Sequence, residues 1–220
     1  MKKILLSALL LAASATLYTG CKKDSDTTGP VITIAGNNPD YSILKFVYTD
    51  AGATANDDVD GSVIASSTDN INENVAGAYS VTYSAQDKAG NKSTEIRDVN
   101  VVDMTGSYAA KDTCDGKPAY LYTETVTVTT TSSINFSKFG NYSNGAVNGT
   151  ISGNHTDGYT INIPSQTVLC GLPPAVNRTF SGTGTISFST NGTSIVRTMV
   201  VHFTEVTNGT TATCTDTYIK

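Results

Sequence analysis

The chain has 220 residues, with 14 Lys and Arg against 19 Asp and Glu, a formal net charge of −5, and no tryptophan beside its 11 Tyr and 6 Phe. An acidic chain without a basic run lacks the electrostatic footprint for a phosphate backbone, so nucleic acid is not an expected partner. Abundant Thr, Ser, Val, Gly and Asn is the usage of an all-β protein.

Lys2 and Lys3 open the chain, Ile4 to Leu17 is apolar apart from small and hydroxylated residues, and Tyr18-Thr19-Gly20-Cys21 ends in small side chains before a thiol. This is the layout of a secretory leader over residues 1–20. The apolar run falls short of the ~20 residues that span a hydrocarbon core. It resembles the bacterial lipoprotein signal, with Tyr18 where leucine is usual. The resemblance implies removal of the leader and lipidation of Cys21, whose acyl chains contribute roughly 0.8 kcal/mol per buried methylene and hold the protein to a membrane. Two of the 14 basic residues lie in the leader, so the rest of the chain carries about −7.

Residues 21–29 follow the thiol with Lys22-Lys23-Asp24-Ser25-Asp26-Thr27-Thr28-Gly29, which has no hydrophobic residue to bury and is expected to be a flexible tether. Lysine followed by acids just after the cysteine resembles the export tag of Bacteroidetes surface lipoproteins, and Asp26-Thr27-Thr28 resembles the O-glycosylation site of the same bacteria. These resemblances imply an outer-membrane protein exposed at the cell surface; an ordinary solvated spacer has the same composition.

Residues 30–103 read as a small sandwich without helix. In Ala78 to Ala85 the larger Tyr79, Val81 and Tyr83 alternate with Ser80, Thr82 and Ser84, the period of a strand with one buried face. Asp87-Lys88-Ala89-Gly90-Asn91 supplies a turn, and Ile96 to Val102 returns with Val99 and Val101 on one side. Val31–Ala35, Leu44–Tyr48 and Ser62–Ala65 are the remaining strand candidates, with residues 36–40 as a loop. Pro30-Val31-Ile32-Thr33-Ile34, Tyr48 to Gly61 and Gly77 to Asn91 resemble the bacterial surface Ig-like domain, found also in some pesticidal crystal proteins, with departures at Ala51 and Ser62. That resemblance implies an Ig-like β-sandwich serving as spacer or binding module. Asp57, Asp58 and Asp60 around Gly61 offer hard oxygen ligands for Ca²⁺, joined by Asp50 or Asp87. Their spacing departs from the Asp-x-Asp-x-Asp-Gly loop, and a hydrogen-bonded Asx turn is the preferred reading, with no metal assigned.

Residues 104–220 are richer still in strand signals: Gly106–Lys111, Ala119–Thr129, Ile134–Phe139, Ala146–Ser152, Tyr159–Pro164, Thr179–Phe188, Ser194–Val206 and Thr211–Ile219, joined by short Gly- and Asn-containing loops. About eight antiparallel strands point to an up-and-down meander, closed as a barrel or folded as a sandwich. Gly106-Ser107-Tyr108, Ile163 to Val168, Ser181 to Ile186 and Cys214 to Tyr218 resemble the lipocalin-like domain that follows the same Ig-like module in Bacteroidetes surface lipoproteins, which implies a possible ligand cavity. With Cys21 lipidated, Cys114, Cys170 and Cys214 remain for disulfides. The first and last strands of a closed meander are neighbours, so Cys114 with Cys214 is the expected pair, pairing with Cys170 being the rival.

Recognisable catalytic constellations are missing. His155 lies in a polar turn expected to be solvated and His202 on a strand; two isolated histidines make neither triad nor metal site. Glu124 and Glu205 carry no glycosidase signature. Tyr120, Tyr122, Tyr142 and Tyr159 are candidates for a sugar-stacking surface, although Tyr in β domains is more often half-buried core. The expectation is a non-enzymatic, cofactor-free, lipid-anchored surface protein that captures a glycan or other nutrient. The alternative is a structural or adhesive spacer that binds another protein.

Overall fold

The computed structural model describes residues 25–220; the leader, the expected lipidation site Cys21 and the start of the tether lie outside the described residues. The first module comprises β1 (Val31–Ile34), β2 (Asp40–Ile43), β3 (Ala53–Asp57), β4 (Gly61–Val63), β5 (Ala65–Asp69), β6 (Gly77–Gln86) and β7 (Lys92–Val102). They form two sheets, β1-β3-β4 and β2-β7-β6-β5, the second with a parallel β2–β7 pair. Ile32, Ala55, Val81, Tyr83, Ala85 and Val99 are buried between them.

One strand lies elsewhere than its sequence pattern suggested. Leu44–Tyr48 is irregular, and β2 instead lies just before it, starting at Asp40, the last residue of the expected loop. Lys45 takes φ = 72°, a left-handed conformation that ends the strand. Phe46 then packs edge-on against Tyr159 of the second module at 5.7 Å between centroids. The hydrophobicity of this stretch serves an interface between modules rather than a sheet face.

Counting back by twos from Val101 and Val99, Arg97 must share the inward face of β7, and its side chain is fully buried. Its guanidinium donates to Asp50 Oδ1 at 2.6 Å, to the Tyr48 hydroxyl at 3.3 Å, and to the carbonyls of Ala35 and Gly52 at the ends of the facing sheet. Tyr83 also donates to Asp50, at 2.7 Å, and Asp40 Oδ2 lies 4.0 Å from the guanidinium. One cation therefore ties both sheets together.

Asp40 carries the same network into the second module. Its Oδ2 accepts from Tyr48 at 3.1 Å and lies 2.6 Å from His155 Nδ1. The His155 side chain is only 2% exposed, its Nε2 meets the Thr49 carbonyl, and its ring stacks on Tyr48 at 4.5 Å. Its turn forms as the sequence suggests, but the first module covers it, so the expectation of a solvated histidine is corrected. Burial, opposed by the Arg97 hydrogen bond, pushes the Tyr48 hydroxyl up to about 12. Ile43, Phe46, Val102 and Met104 join the hydrophobic core of the second module, and Tyr41 stacks on Phe188 at 5.4 Å.

The second module is a closed antiparallel barrel of β8 (Gly106–Cys114), β9 (Tyr120–Val128), β10 (Ser133–Phe136), β11 (Val147–Asn154), β12 (Gly158–Cys170), β13 (Val176–Asn191), β14 (Ser194–Thr207) and β15 (Thr210–Ile219), in which β15 pairs with β8 to complete the ring. The up-and-down meander is thus realised as a barrel, which leaves no open sheet edge. A short 3-10 turn, Phe139–Asn141, dips between β10 and β11. Phe139 meets Phe136, Phe180 and Phe203 at 5.4, 5.5 and 4.5 Å between centroids, so rings from several walls fill the middle of the barrel. Gly182 on β13 approaches β14 so closely that a Cβ would collide with the His202 carbonyl and with Phe203, which explains a glycine in mid-strand.

The two modules follow one another along the chain with opposite ends exposed. Asn91, at the tip of the β6–β7 hairpin, donates to the carbonyls of Asp26 and Thr28 at 3.2 and 3.0 Å and holds the tether there. The other end of that hairpin runs into β8, which leaves the junction at Gly106 and reaches the far rim at Cys114.

Replacing Arg97 by Met removes the cation while keeping its bulk, and strands two carboxylates. Urea unfolding is expected to show a loss of about 3–5 kcal/mol, the magnitude for breaking a buried pair. A loss under about 1 kcal/mol would mean that Arg97 does not hold the sheets together.

A candidate functional site at the far rim of the barrel

The seam between β8 and β15 sets the chemistry of this rim. Their register puts Cys114 opposite Cys214 and, one inward step along, Asp112 opposite Asp216. The cysteines are joined, with an S–S distance of 1.99 Å, and Cys170 remains a buried free thiol whose pKa burial pushes up. Joined sulfurs are not thiolates, so their proximity to Asp112 does not make a metal centre.

Asp216 is fully buried and Asp112 nearly so. Asp216 Oδ2 accepts from Tyr218 at 2.6 Å, Tyr122 at 3.1 Å and the Gly140 amide at 3.2 Å, which ties the 3-10 turn to the seam. Its Oδ1 has no donor among the described residues, but Asp112 lies beside it. Burial and then repulsion by Asp112 push Asp216 up to about 7, and burial also raises Asp112. Two adjacent buried carboxylates cannot both ionise cheaply, and one proton held between them would supply the donor that the orphan oxygen lacks.

Two more acids stand inside this end. Glu124 accepts from the Ser137 amide at 2.8 Å, its hydroxyl at 2.7 Å and the Lys138 amide at 3.0 Å; burial nevertheless pushes its pKa up. Glu205 pairs with Arg178 and accepts from Tyr142 and Thr207, each at 2.8 Å. Burial would raise its pKa, but those hydroxyls and the guanidinium outweigh it and hold the carboxyl below its usual range. Arg178 also sits 4.1 Å above the Tyr142 ring. The acids hold residues 137–142 in place from both sides.

Above this floor opens a cleft of about 360 Å³ with a mixed polar and apolar lining, bordered by Asp112, Lys117, Pro118, Tyr120, Asn141 and Tyr142. Of the four candidate tyrosines, Tyr120 and Tyr142 border it. Tyr122 points to Asp216 and Tyr159 lies at the opposite end, against Phe46. His202 is on the outer wall, bonded to Thr215 Oγ1 at 2.9 Å. Asp57, Asp58 and Asp60 belong to the other module.

The buried acids were within reach of the sequence. If Cys114 and Cys214 face each other, the residues two positions away, Asp112 and Asp216, share their face. The same alternation carries Val126 back to Glu124 and Phe203 on to Glu205. What no local pattern reports is the 137–145 loop folding back into the barrel.

An Ig-like sandwich leading into a closed eight-stranded barrel is therefore the architecture. Residues 32–101 match the family model described as bacterial surface protein, Ig-like domain. Among solved structures, the chain is similar to a lipoprotein from Bacteroides thetaiotaomicron at 16% identity, covering 86% of this chain and 99% of that one, with a TM-score of 0.29. No curated protein matches the sequence.

A carboxyl whose pKa is raised on folding stabilises the fold below its unfolded value and loses that contribution as pH rises through the folded one. For Asp216 the window runs from near 4 to about 7. Glu205, with a lowered pKa, acts in the opposite sense and below that window. Asp216→Asn is expected to flatten the decline in unfolding free energy across this range, measured by urea unfolding at each pH, by up to roughly 4 kcal/mol near neutrality relative to the unmodified protein. Parallel pH profiles for the two proteins would exclude the shared proton.

Proposed function

We propose that this is a lipid-anchored protein of the bacterial outer surface that captures a small polar ligand, a saccharide fitting best, at the rim of its barrel. The observation that carries the reading is the cleft at the end of the barrel away from the tether. Tyr120, half exposed, offers a ring face, while Asn141, Lys117, Asp112 and the Gly140 backbone offer donors and acceptors around one small volume. The ring-filled middle of the barrel argues against an apolar cargo of the kind a lipocalin-like cavity implies. The surface Ig-like match over residues 32–101 supports display at the cell envelope, with Cys21 as the anchor.

The reading is non-enzymatic. Asp112 is the one carboxylate among those bordering the cleft, whereas glycoside hydrolysis uses a facing pair. Glu124 and Glu205 spend their oxygens on the loop and on Arg178. A specific observation favours the alternative of adhesion to another protein: Leu121, Leu169 and Leu172 stand 81%, 61% and 79% exposed toward the same end.

The test is a glycan array probed with the chain from residue 22 onward, followed by calorimetry on the best hit. Saccharide binding is expected to weaken at least ~10-fold in Tyr120→Ala and in Asn141→Gly, the latter chosen because Asn141 has φ = 63°, at unchanged melting temperature, as truncating a stacking or hydrogen-bonding anchor does. Silence across plant, host and microbial glycans would overturn the saccharide reading. Pull-down of one envelope protein, lost on Leu172→Asp, would establish the adhesive one.

A further inference from the structure

The opposite end of the first module holds an arrangement that hydrogen bonding alone does not explain. Asp57 sits at the end of β3, 2% exposed, and its two oxygens have different fates. Oδ1 accepts from the amides of Val59 and Asp60 at 3.0 and 2.8 Å, closing the Asx turn that the sequence suggests. Oδ2 is buried and has no donor among the described residues. The tether supplies the second member: Asp26 Oδ1 accepts from the Thr28 amide at 3.0 Å, while Asp26 Oδ2 is likewise buried without a donor. Asp58 supplies the third. One carboxylate oxygen from each of Asp26, Asp57 and Asp58 lies within 4.8 Å of the other two.

Three carboxylates aimed at one point, two of them with orphaned buried oxygens, form a concentration of negative charge that needs a counter-charge. Among the described residues the neighbouring ammonium, Lys88, is committed to Asp60, with Nζ 3.1 Å from Oδ1. Asp87 is engaged by Asn91 and by the Gly90 amide. Amide donors thus satisfy Asp87, while Asp26 Oδ2 and Asp57 Oδ2 have none among the described residues. An oxygen-only, anionic donor set on an exposed loop suits a hard divalent cation, with waters completing the shell. Its irregular layout suits the flexible coordination of Ca²⁺ better than the strict octahedron of Mg²⁺.

We propose that Asp26, Asp57 and Asp58 form a Ca²⁺ site that clasps the tether to the Ig-like module. Asn91 already holds the tether backbone through the carbonyls of Asp26 and Thr28, so the ion locks a segment that is in position. The clasp fixes the direction in which the module leaves its membrane anchor, and it does so whatever the far rim binds.

The test is titration of the chain from residue 22 onward with Ca²⁺ alone, by calorimetry and by thermal unfolding in Ca²⁺ against a chelator. A dissociation constant of about 10⁻⁵–10⁻³ M and a raised melting temperature are expected, with Mg²⁺ at least ~10-fold weaker. Asp26→Asn and Asp58→Asn each lower Ca²⁺ affinity by at least ~10-fold. In chelator both variants melt at or above the temperature of the unmodified protein, because a repelling charge has gone. Absence of any Ca²⁺ response up to about 10 mM, or an equal response to Mg²⁺, overturns the site. Unchanged affinity in Asp26→Asn overturns the clasp specifically, since it removes the tether from the ligand set without touching the turn.

Discussion

The buried guanidinium of Arg97 is the contact on which the first module and its junction depend. It bonds to carbonyls at the end of one sheet while rooted in a strand of the other, and its charge is balanced by Asp50 and approached by Asp40. A sandwich whose buried hydrophobic residues include two alanines and two valines has little apolar surface with which to fix the angle between its sheets. A buried ion group whose two terminal nitrogens are bonded to both sheets imposes that angle by geometry, since leaving those partners unmet is expensive. Through Asp40 and Tyr48 the same network reaches His155, so sheet packing and module docking are one cooperative arrangement.

The barrel applies the same principle at its rim. Its centre is closed by aromatic rings, while its far end contains four buried acids accommodated in three ways: adjacent carboxyls with raised pKa for Asp112 and Asp216, amides and a hydroxyl for Glu124, a guanidinium for Glu205. Glu124, Asp216 and Glu205 all bond to the chain that plugs the barrel. The polar floor positions a loop that has few apolar anchors beyond Phe139, and that loop in turn forms one wall of the cleft.

Much of this was legible from side-chain periodicity. Alternation located β6, β7 and most of the barrel strands, and the neighbouring first and last barrel strands pointed to the bond between Cys114 and Cys214. It misled at Leu44–Tyr48, where apolar residues cover the second module instead of filling a sheet, because period-two reasoning asks which face is buried and not against what. It said nothing of β3, whose Ala53-Thr54-Ala55-Asn56-Asp57 is too small and polar to announce a strand. His155 was read as solvated because its turn is polar, and a polar turn pressed against a carboxylate has the same sequence as one in water. The tether's part in the acidic cluster was beyond local reading altogether, since Asp26 and Asp57 meet through folding at a distance.

The disulfide acquires another meaning when the molecule is considered as a mechanical element. Any pull between the N-terminal end of the first module and the far rim would load the barrel along its staves. The seam between β8 and β15 joins the strands most distant in sequence, and it is where such a ring would begin to unzip. Cys114 and Cys214 cap that seam at its loaded end. A covalent rivet there converts peeling, which breaks hydrogen bonds one at a time, into shear, which must break them together.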